Sequence, residues 1–155
     1  MDLDRVMTRL NPAVTWVLRS ALHGLLSSGL MLVTVTGRRT GRRYTIPVGY
    51  QRDGAVLTVL VSRASRKQWW RNYREPAPIE IHLKGRTRTG RARVVAPGSD
   101  EFRAAVDATL RRLPSLGRQL GIAYDRAAGL DAAQWRVVAA NGAVVKIELD
   151  RALAE

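Results

Sequence analysis

The sequence predicts a mainly β, α+β fold: a small antiparallel barrel with helices packed outside it. Three observations carry this. Short runs of alternating apolar residues follow one another between residues 31 and 95. Turn signals, Asp53-Gly54 and Gly85, separate them at hairpin distance. Helix-period stretches lie on either side, and an apolar run over 143–149 returns as a strand.

Residues 12–28 read as a helix, with Asn11 as cap and Pro12 in the first turn. Val14, Val17, Leu18, Leu22, Leu25 and Leu26 fall near helical spacing, and Gly29 is the stop. Such a helix packs on the core, or it acts as a lid or a shallow contact with a membrane or a lipid-like substrate. Met31 to Thr36 alternates as a strand. Tyr44 to Tyr50 follows, with Tyr44, Ile46, Val48 and Tyr50 on one face. Pro47 cannot donate to a ladder, so this strand belongs at an edge or a bulge. VLTVLV, residues 56–61, is the third strand, and KQWWRNYRE, residues 67–75, a short helix or turn.

Ile79, Ile81 and Leu83 alternate with Glu80, His82 and Lys84, predicting a half-buried fourth strand with His82 exposed. Gly85 turns the chain into a basic fifth strand ending near Val95. Pro97-Gly98 breaks it. Ser99 then caps a helix whose first turn holds Asp100 and Glu101, favoured by the helix dipole. Phe102, Ala105, Val106, Thr109, Leu110 and Leu113 line its inner face, and Pro114 ends it. Residues 115–130 read as irregular or briefly helical. Asp131 and Gln134 resemble a capping box, predicting a helix over 131–140 before the last strand. Asn141-Gly142 also fits a hairpin turn between WRVVAA and VVKIEL. Residues 1–155 are expected to form a single domain.

The chain of 155 residues is long enough to bury a core without staples. It has no cysteine, which excludes disulfides, thiolate metal sites and cysteine nucleophiles. His23 and His82 lack carboxylate neighbours, so no metal site is expected, and neither has the serine–acid context of a hydrolase triad. Residues 36–98 carry nearly all of the +13 net charge: fifteen Lys or Arg against Asp53, Glu75 and Glu80. A field of one sign points to an anionic partner, whether nucleic acid, membrane surface or a phosphate or carboxylate ligand. Arginine outnumbers lysine 23 to 3, which suits bidentate grips on oxyanions and would also follow from a GC-rich genome. No nucleic-acid motif is present, so specific nucleic-acid binding is not expected. Arg19, His23 and two glycines interrupt the apolar stretch 13–33, which argues against a membrane span. The chain reads as cytoplasmic, or peripheral to the inner membrane face through residues 12–28.

Two stretches carry chemistry. The loop GRRTGRR, residues 37–43, has two glycines able to take positive φ and present successive N–H groups to an anion. Arg38, Arg39, Arg42 and Arg43 add charge and Thr40 a hydroxyl. Neither a Walker spacing nor a dinucleotide fingerprint is present. A solvated basic turn has the same composition. The second stretch, SRASRKQWWRN over 62–72, sets two tryptophans among Arg63, Arg66, Lys67 and Arg71. Adjacent residues point to different sides of a helix, so one tryptophan is expected in the core while the other shields a planar ring or a ligand tail. Both packing on the barrel wall is the alternative. RTRTGRARVV is basic on both faces, Arg86 and Arg88 on one and Arg91 and Arg93 on the other, as in a solvated or subunit-facing strand.

TGRRTGRRYTIPV and SRASRKQWWRN, with YQRDG between them, resemble the deazaflavin-dependent nitroreductase family. That family shares a loop TGRK(S/T)Gxx(R/Y)TxPL, an xRDG hairpin, an A(S/T)xGG-like segment and a W(Y/W)xN helix start. The similarity runs in unbroken order from about residue 31 to 95, with a weaker tail through 149. It implies a split β-barrel of the flavin-binding superfamily that binds coenzyme F420, whose tail is polyanionic. Residues matching the tail-binding loop are Arg38, Arg39, Thr40, Gly41 and Arg42. Tyr44, Thr45, Ile46, Pro47, Val48 and Gly49 match the strand along the deazaflavin. Leu60, Val61, Ser62 and Arg63 match the next strand end, and Gln68, Trp69, Trp70, Arg71 and Asn72 the tryptophan segment. Tyr124 best matches a tyrosine that lines the substrate pocket. Ala64-Ser65-Arg66 replaces the usual Gly-Gly, the segment before the tryptophans is shorter, and residues 114–130 lack the family's aromatics.

The implied activity is hydride transfer from reduced F420 to an electron-poor small molecule: a nitro compound, a quinone or an activated C=C. In such an enzyme the cofactor carries the redox chemistry, which accounts for the lack of an evident acid, base or nucleophile. An FMN enzyme, or a non-catalytic flavin or tetrapyrrole carrier of the same fold, is the alternative. A basic nucleic-acid or membrane-surface binder is more remote. A homodimer is consistent with the superfamily.

Overall fold

The computed structural model describes residues 29–37 and 39–151. The helix expected over 12–28, with its lid or membrane contact, and Arg38 lie outside the described residues. The elements run β1 (Leu30–Thr36), β2 (Arg43–Gly49), β3 (Gln51–Asp53), β4 (Val56–Ser62), two 3-10 turns (Ala64–Arg66 and Trp69–Tyr73), β5 (Ala77–Leu83) and β6 (Arg86–Val94). Three helices, α1 (Asp100–Arg112), α2 (Leu116–Gln119) and α3 (Ala132–Asn141), precede β7 (Gly142–Leu149).

The strands form one sheet in the order β2-β1-β5-β6-β7-β4-β3. β1 pairs antiparallel with both β2 and β5, and β5 with β6. β2 and β3 occupy opposite edges of this order, yet Tyr50 alone separates them in the chain. One residue spans at most about 3.6 Å. The sheet therefore has to curl until its edges approach one another. This is a split β-barrel, the fold the sequence predicts. Among the described residues there are seven strands rather than the six expected. The expected strand over 44–50 stops at Gly49, and Gln51–Asp53 forms a separate short strand before the Asp53-Gly54 turn, where Gly54 has φ 59°.

Two compact units divide the chain. Of the described residues, one comprises those up to Leu57, with Ala77–Ala92 and those from Ile147. The other is Thr58–Pro76 with Arg93–Lys146. In the first, the register sets Val33 beside Ile46 and Ile81, so these apolar residues share one face. Thr34 and Thr45 meet on the other face, their hydroxyl oxygens 3.1 Å apart. Pro47 sits on the edge strand, as its missing N–H requires. Gly90 lies where a Cβ would stand 2.5 Å from the Glu148 carbonyl oxygen, so only glycine lets β7 approach there. His82 is half-buried rather than exposed, with Nδ1 3.4 Å from Thr87 Oγ1. Its cross-strand neighbour Leu32 is itself buried, so this part of the outer face is covered.

In the second unit Phe102, Val106, Leu110, Leu120, Val138 and Val144 form the core with Val95. The Phe102 N–H donates to Ser99 Oγ at 3.2 Å, capping α1 as predicted. Leu113, expected on the inner face, is 54% exposed. It is the C-cap, with φ −130° and ψ 74°, because the residue before Pro114 is pushed out of helical conformation. The choice over 131–142 falls to a helix. The Asp131 carboxylate accepts from the Gln134 N–H at 2.7 Å, and the Asp131 N–H donates to Gln134 Oε1 at 3.0 Å. Gly142 makes no hairpin turn. It is extended, and its Cβ would meet Leu120 Cδ2 at 3.0 Å and the Val138 carbonyl at 3.1 Å.

Candidate functional site

The basic loop in the first unit is small and internally bonded. The Gly37 N–H donates to the Arg42 carbonyl at 2.8 Å, and the Gly41 N–H to the Gly37 carbonyl at 2.9 Å. The Arg42 N–H reaches Thr40 Oγ1 at 3.3 Å. Gly41 takes φ 67°, whereas Gly37 does not take positive φ. Glycine is needed at 37 because a Cβ there would press on Thr40 Oγ1 at 3.1 Å. Three of the loop N–H groups, those of Gly37, Gly41 and Arg42, are thus bonded within the loop. The capacity for anions rests on side chains. Arg39, Thr40, Gly41 and Arg42 are exposed, and among the described residues no carboxylate pairs with Arg39 or Arg42. Arg43 is committed instead to Glu80 at 2.9 Å.

Tyr44, Thr45, Ile46, Pro47 and Val48 are all half-buried, with Gly49 exposed. The sharp in–out alternation expected of β2 is missing. Tyr50 follows directly. Burial pushes its phenol above the ordinary tyrosine range, and Arg52 partly opposes this.

The remaining candidates lie in the second unit. Leu60 is half-buried against its core, while Val61 and Ser62 are buried at the end of β4. Ser62 Oγ donates to Gln119 Oε1 at 2.9 Å. Arg63 then takes φ 51° and ψ 45°, a left-handed conformation unusual for a residue with a Cβ. One of the two tryptophans lies in the core, as expected, and the other is less buried. Trp69 is 5% exposed and packs edge-on against Tyr73, ring centroids 6.3 Å apart. Trp70 is half-buried, and its indole N–H donates to the Ala64 carbonyl at 2.9 Å. The guanidinium groups of Arg71 and Arg74 lie over its ring at 5.5 and 5.3 Å. Its face therefore carries cations rather than being bare for stacking. Asn72 Nδ2 donates to the Trp69 carbonyl at 3.1 Å, closing the turn, and Arg71 Nη1 donates to Gln68 Oε1 at 3.2 Å.

Tyr124 hangs from a turn that composition did not reveal. The Ile122 N–H donates to the Gly117 carbonyl at 2.9 Å and the Gly121 N–H to the Arg118 carbonyl at 3.2 Å, with Gly121 at φ 84°. This is a Schellman motif at the end of α2. Asn141 Nδ2 braces it by donating to the Leu120 carbonyl at 3.1 Å. Gly117 admits Tyr124, whose Cβ would lie 3.0 Å from a Cβ at that glycine. The Tyr124 hydroxyl is buried and has no hydrogen-bond partner among the described residues.

Two further residues belong with these. Gln119 meets Ser62 across 57 positions of sequence, a pairing without local signal. Lys67 is half-buried, and burial first, then Arg63, pulls its pKa below the ordinary lysine value. Among the described residues no group of three His, Asp or Glu is placed to hold a metal ion, and no helix is long and apolar enough to cross a membrane.

The family model of the F420H(2)-dependent quinone reductases matches residues 15–118. Among curated proteins no sequence match is found. Solved structures match in fold. An F420-H2 dependent reductase, FDR-A, superposes with TM-score 0.53 at 15% identity, covering 78% of this chain and 95% of its own. HutZ, the haem storage protein of Vibrio cholerae, gives TM-score 0.53 at 15% identity, with 92% of each chain covered. Atu2129 of Agrobacterium tumefaciens, of unknown function, gives 0.56 at 17%, covering 88% of this chain and 54% of its own.

Proposed function

The chain belongs to the F420H(2)-dependent quinone reductase family, and from that premise we propose that it passes a hydride from reduced F420 to an electron-poor small molecule. A quinone is the first acceptor to test, ahead of nitro compounds and activated C=C bonds. The observation that carries the reading is the loop after β1. Arg39 and Arg42 stand exposed there without a carboxylate partner among the described residues, immediately before an edge strand.

The donor set fits a flat heterocycle with a polyanionic tail. Arg39 and Arg42, with Arg38 between them and β1, would hold the tail through charge-assisted hydrogen bonds. The resemblance gives residues 44–49 of the first unit, and 60–63 and Gln68–Asn72 of the second, as further candidates for contact with the cofactor. Tyr124, with its unpartnered hydroxyl, would meet the acceptor. When bound, the deazaflavin supplies the hydride. The chain's own part is to bind, orient and exclude water. This also suits a fold whose neighbours include both an F420-H2 dependent reductase and a haem storage protein.

The test is titration of the purified protein with F420 and, separately, FMN. F420 is expected to bind in the micromolar range and FMN more weakly. Arg39→Ala with Arg42→Ala is expected to weaken F420 binding about tenfold or more, the scale of losing charge-assisted bonds. Tight FMN binding without F420 binding would replace the reading with a flavin enzyme. An unchanged F420 affinity in the double variant would refute the role of the loop.

A further inference from the structure

The segment from Arg63 to Arg74 holds five cations, Arg63, Arg66, Lys67, Arg71 and Arg74, and among the described residues no carboxylate pairs with any of them. Charge of one sign on an exposed turn is unremarked by itself. Arg71 makes this one different. Its guanidinium is fixed from two sides: Nη1 donates to Gln68 Oε1 at 3.2 Å, and the group lies 5.5 Å from the centre of the Trp70 ring. Trp70 is itself pinned, its indole N–H on the Ala64 carbonyl at 2.9 Å. The Arg71 Nε is buried with no acceptor among the described residues. A buried donor on a charged group without an acceptor is costly.

Lys67, next to Gln68, supplies a second, independent observation. It is half-buried without a carboxylate, and burial first, then Arg63, holds its pKa below the ordinary lysine value. A cation drawn partly out of water beside another cation is stabilised most directly by an anion. Arg71 offers direction and Lys67 offers point charge, a division of labour suited to an oxyanion.

We propose that Lys67 and Arg71, positioned by Gln68 and Trp70, form an oxyanion subsite that takes a phosphate or carboxylate group. It deepens the reading of Gln68–Asn72 as a ligand-facing segment and rests on that reading. It adds a demand for negative charge at a second place, apart in sequence from Arg39 and Arg42. The anion comes either from the cofactor's tail or from an acidic acceptor substrate.

The experiment follows the Arg71 Nε–H resonance of the full chain, labelled with nitrogen-15 and assigned by its loss in Arg71→Lys. It is titrated with inorganic phosphate and with acetate, against chloride at matched ionic strength. A saturable shift with phosphate or acetate but not chloride is expected, weakened about tenfold in Lys67→Gln. No shift, the same shift with chloride, or an unchanged midpoint in Lys67→Gln overturns the subsite. A second arm measures F420 affinity in Arg71→Lys and Lys67→Gln. A loss of about tenfold, with phosphate competing against F420, assigns the anion to the cofactor. Unchanged F420 affinity with phosphate still bound at Arg71 assigns it to the acceptor. Should F420 not bind at all, the F420 reading fails while the phosphate titration still decides the subsite.

Discussion

Arg63 is one of two non-glycine residues, with Lys84, that take positive φ among the described residues. Its φ of 51° places a Cβ in the left-handed region, which costs roughly 1–2 kcal/mol. It also directly precedes the Ala64–Arg66 turn that leads to the tryptophans. Strain held at the end of β4, beside Ser62, is the kind that persists where a charged side chain is needed. Arg63→Gly is therefore expected to raise stability by roughly 0.5–1 kcal/mol, the relief of strain less the greater freedom of glycine in the unfolded chain. A shift of the urea midpoint to higher concentration measures it. A lower midpoint would mean that the Arg63 side chain contributes more than its backbone costs.

Among the elements, the short helix α2 owes its direction to its last turn. The Schellman bonds at Gly117, Arg118, Gly121 and Ile122 reverse the chain within a few residues, so that Gln119 and Tyr124 project from one braced turn. Gly121→Ala tests this. The variant meets positive φ, with its Cβ 3.0 Å from Asn141 Nδ2 and 3.3 Å from Val137 Cγ1. A loss of about 1–2 kcal/mol in chemical unfolding is expected from the left-handed conformation. An unchanged midpoint would show that the turn relaxes without cost. The sequence reads as irregular or briefly helical over 115–130, and α2 is that brief helix; four helical residues give too short a period to place it more closely. The capping box of α3 was readable because Asp131 and Gln134 stand three apart and bond each other locally.

Charge across the whole molecule is strongly positive, so each carboxylate that gathers cations bears on its stability. Glu101 is the clearest. From α1 it accepts from Arg93 of β6 at 3.2 Å through one oxygen and from Arg93 again through the other, while Lys146 of β7 lies 3.5 Å away. The hydrogen bond from Arg93 holds its carboxyl below the ordinary glutamate value; burial opposes it, and the charges of Arg93 and Lys146 add to the lowering. A carboxyl lowered on folding contributes stability that is present above its unfolded pKa and lost as pH falls through the folded one. Wild type should thus lose stability below about pH 4.5, the unperturbed value, as Glu101 takes up its proton. Glu101→Gln should lose no more than about 1 kcal/mol at neutral pH, since the pair is partly exposed, and should show a shallower acid limb. Equal acid limbs in the two proteins would refute the linkage.

What the sequence by itself determined is local. Alternation placed most strands, Pro47 placed β2 at an edge, Ser99 and Asp131 capped their helices, and Asp53-Gly54 made its turn, because each signal acts within a few residues. The clustering of arginines over 36–98 and the ordered motifs pointed to an anionic cofactor, consistent with the matching family. The tertiary structure decided the rest. It set β2 and β3 at opposite edges of a curled sheet, bonded the loop amides to one another, half-buried His82 and brought Gln119 to Ser62. These outcomes depend on which surfaces meet across long stretches of chain, and pairing at such separation leaves no period or spacing for a linear reading to detect.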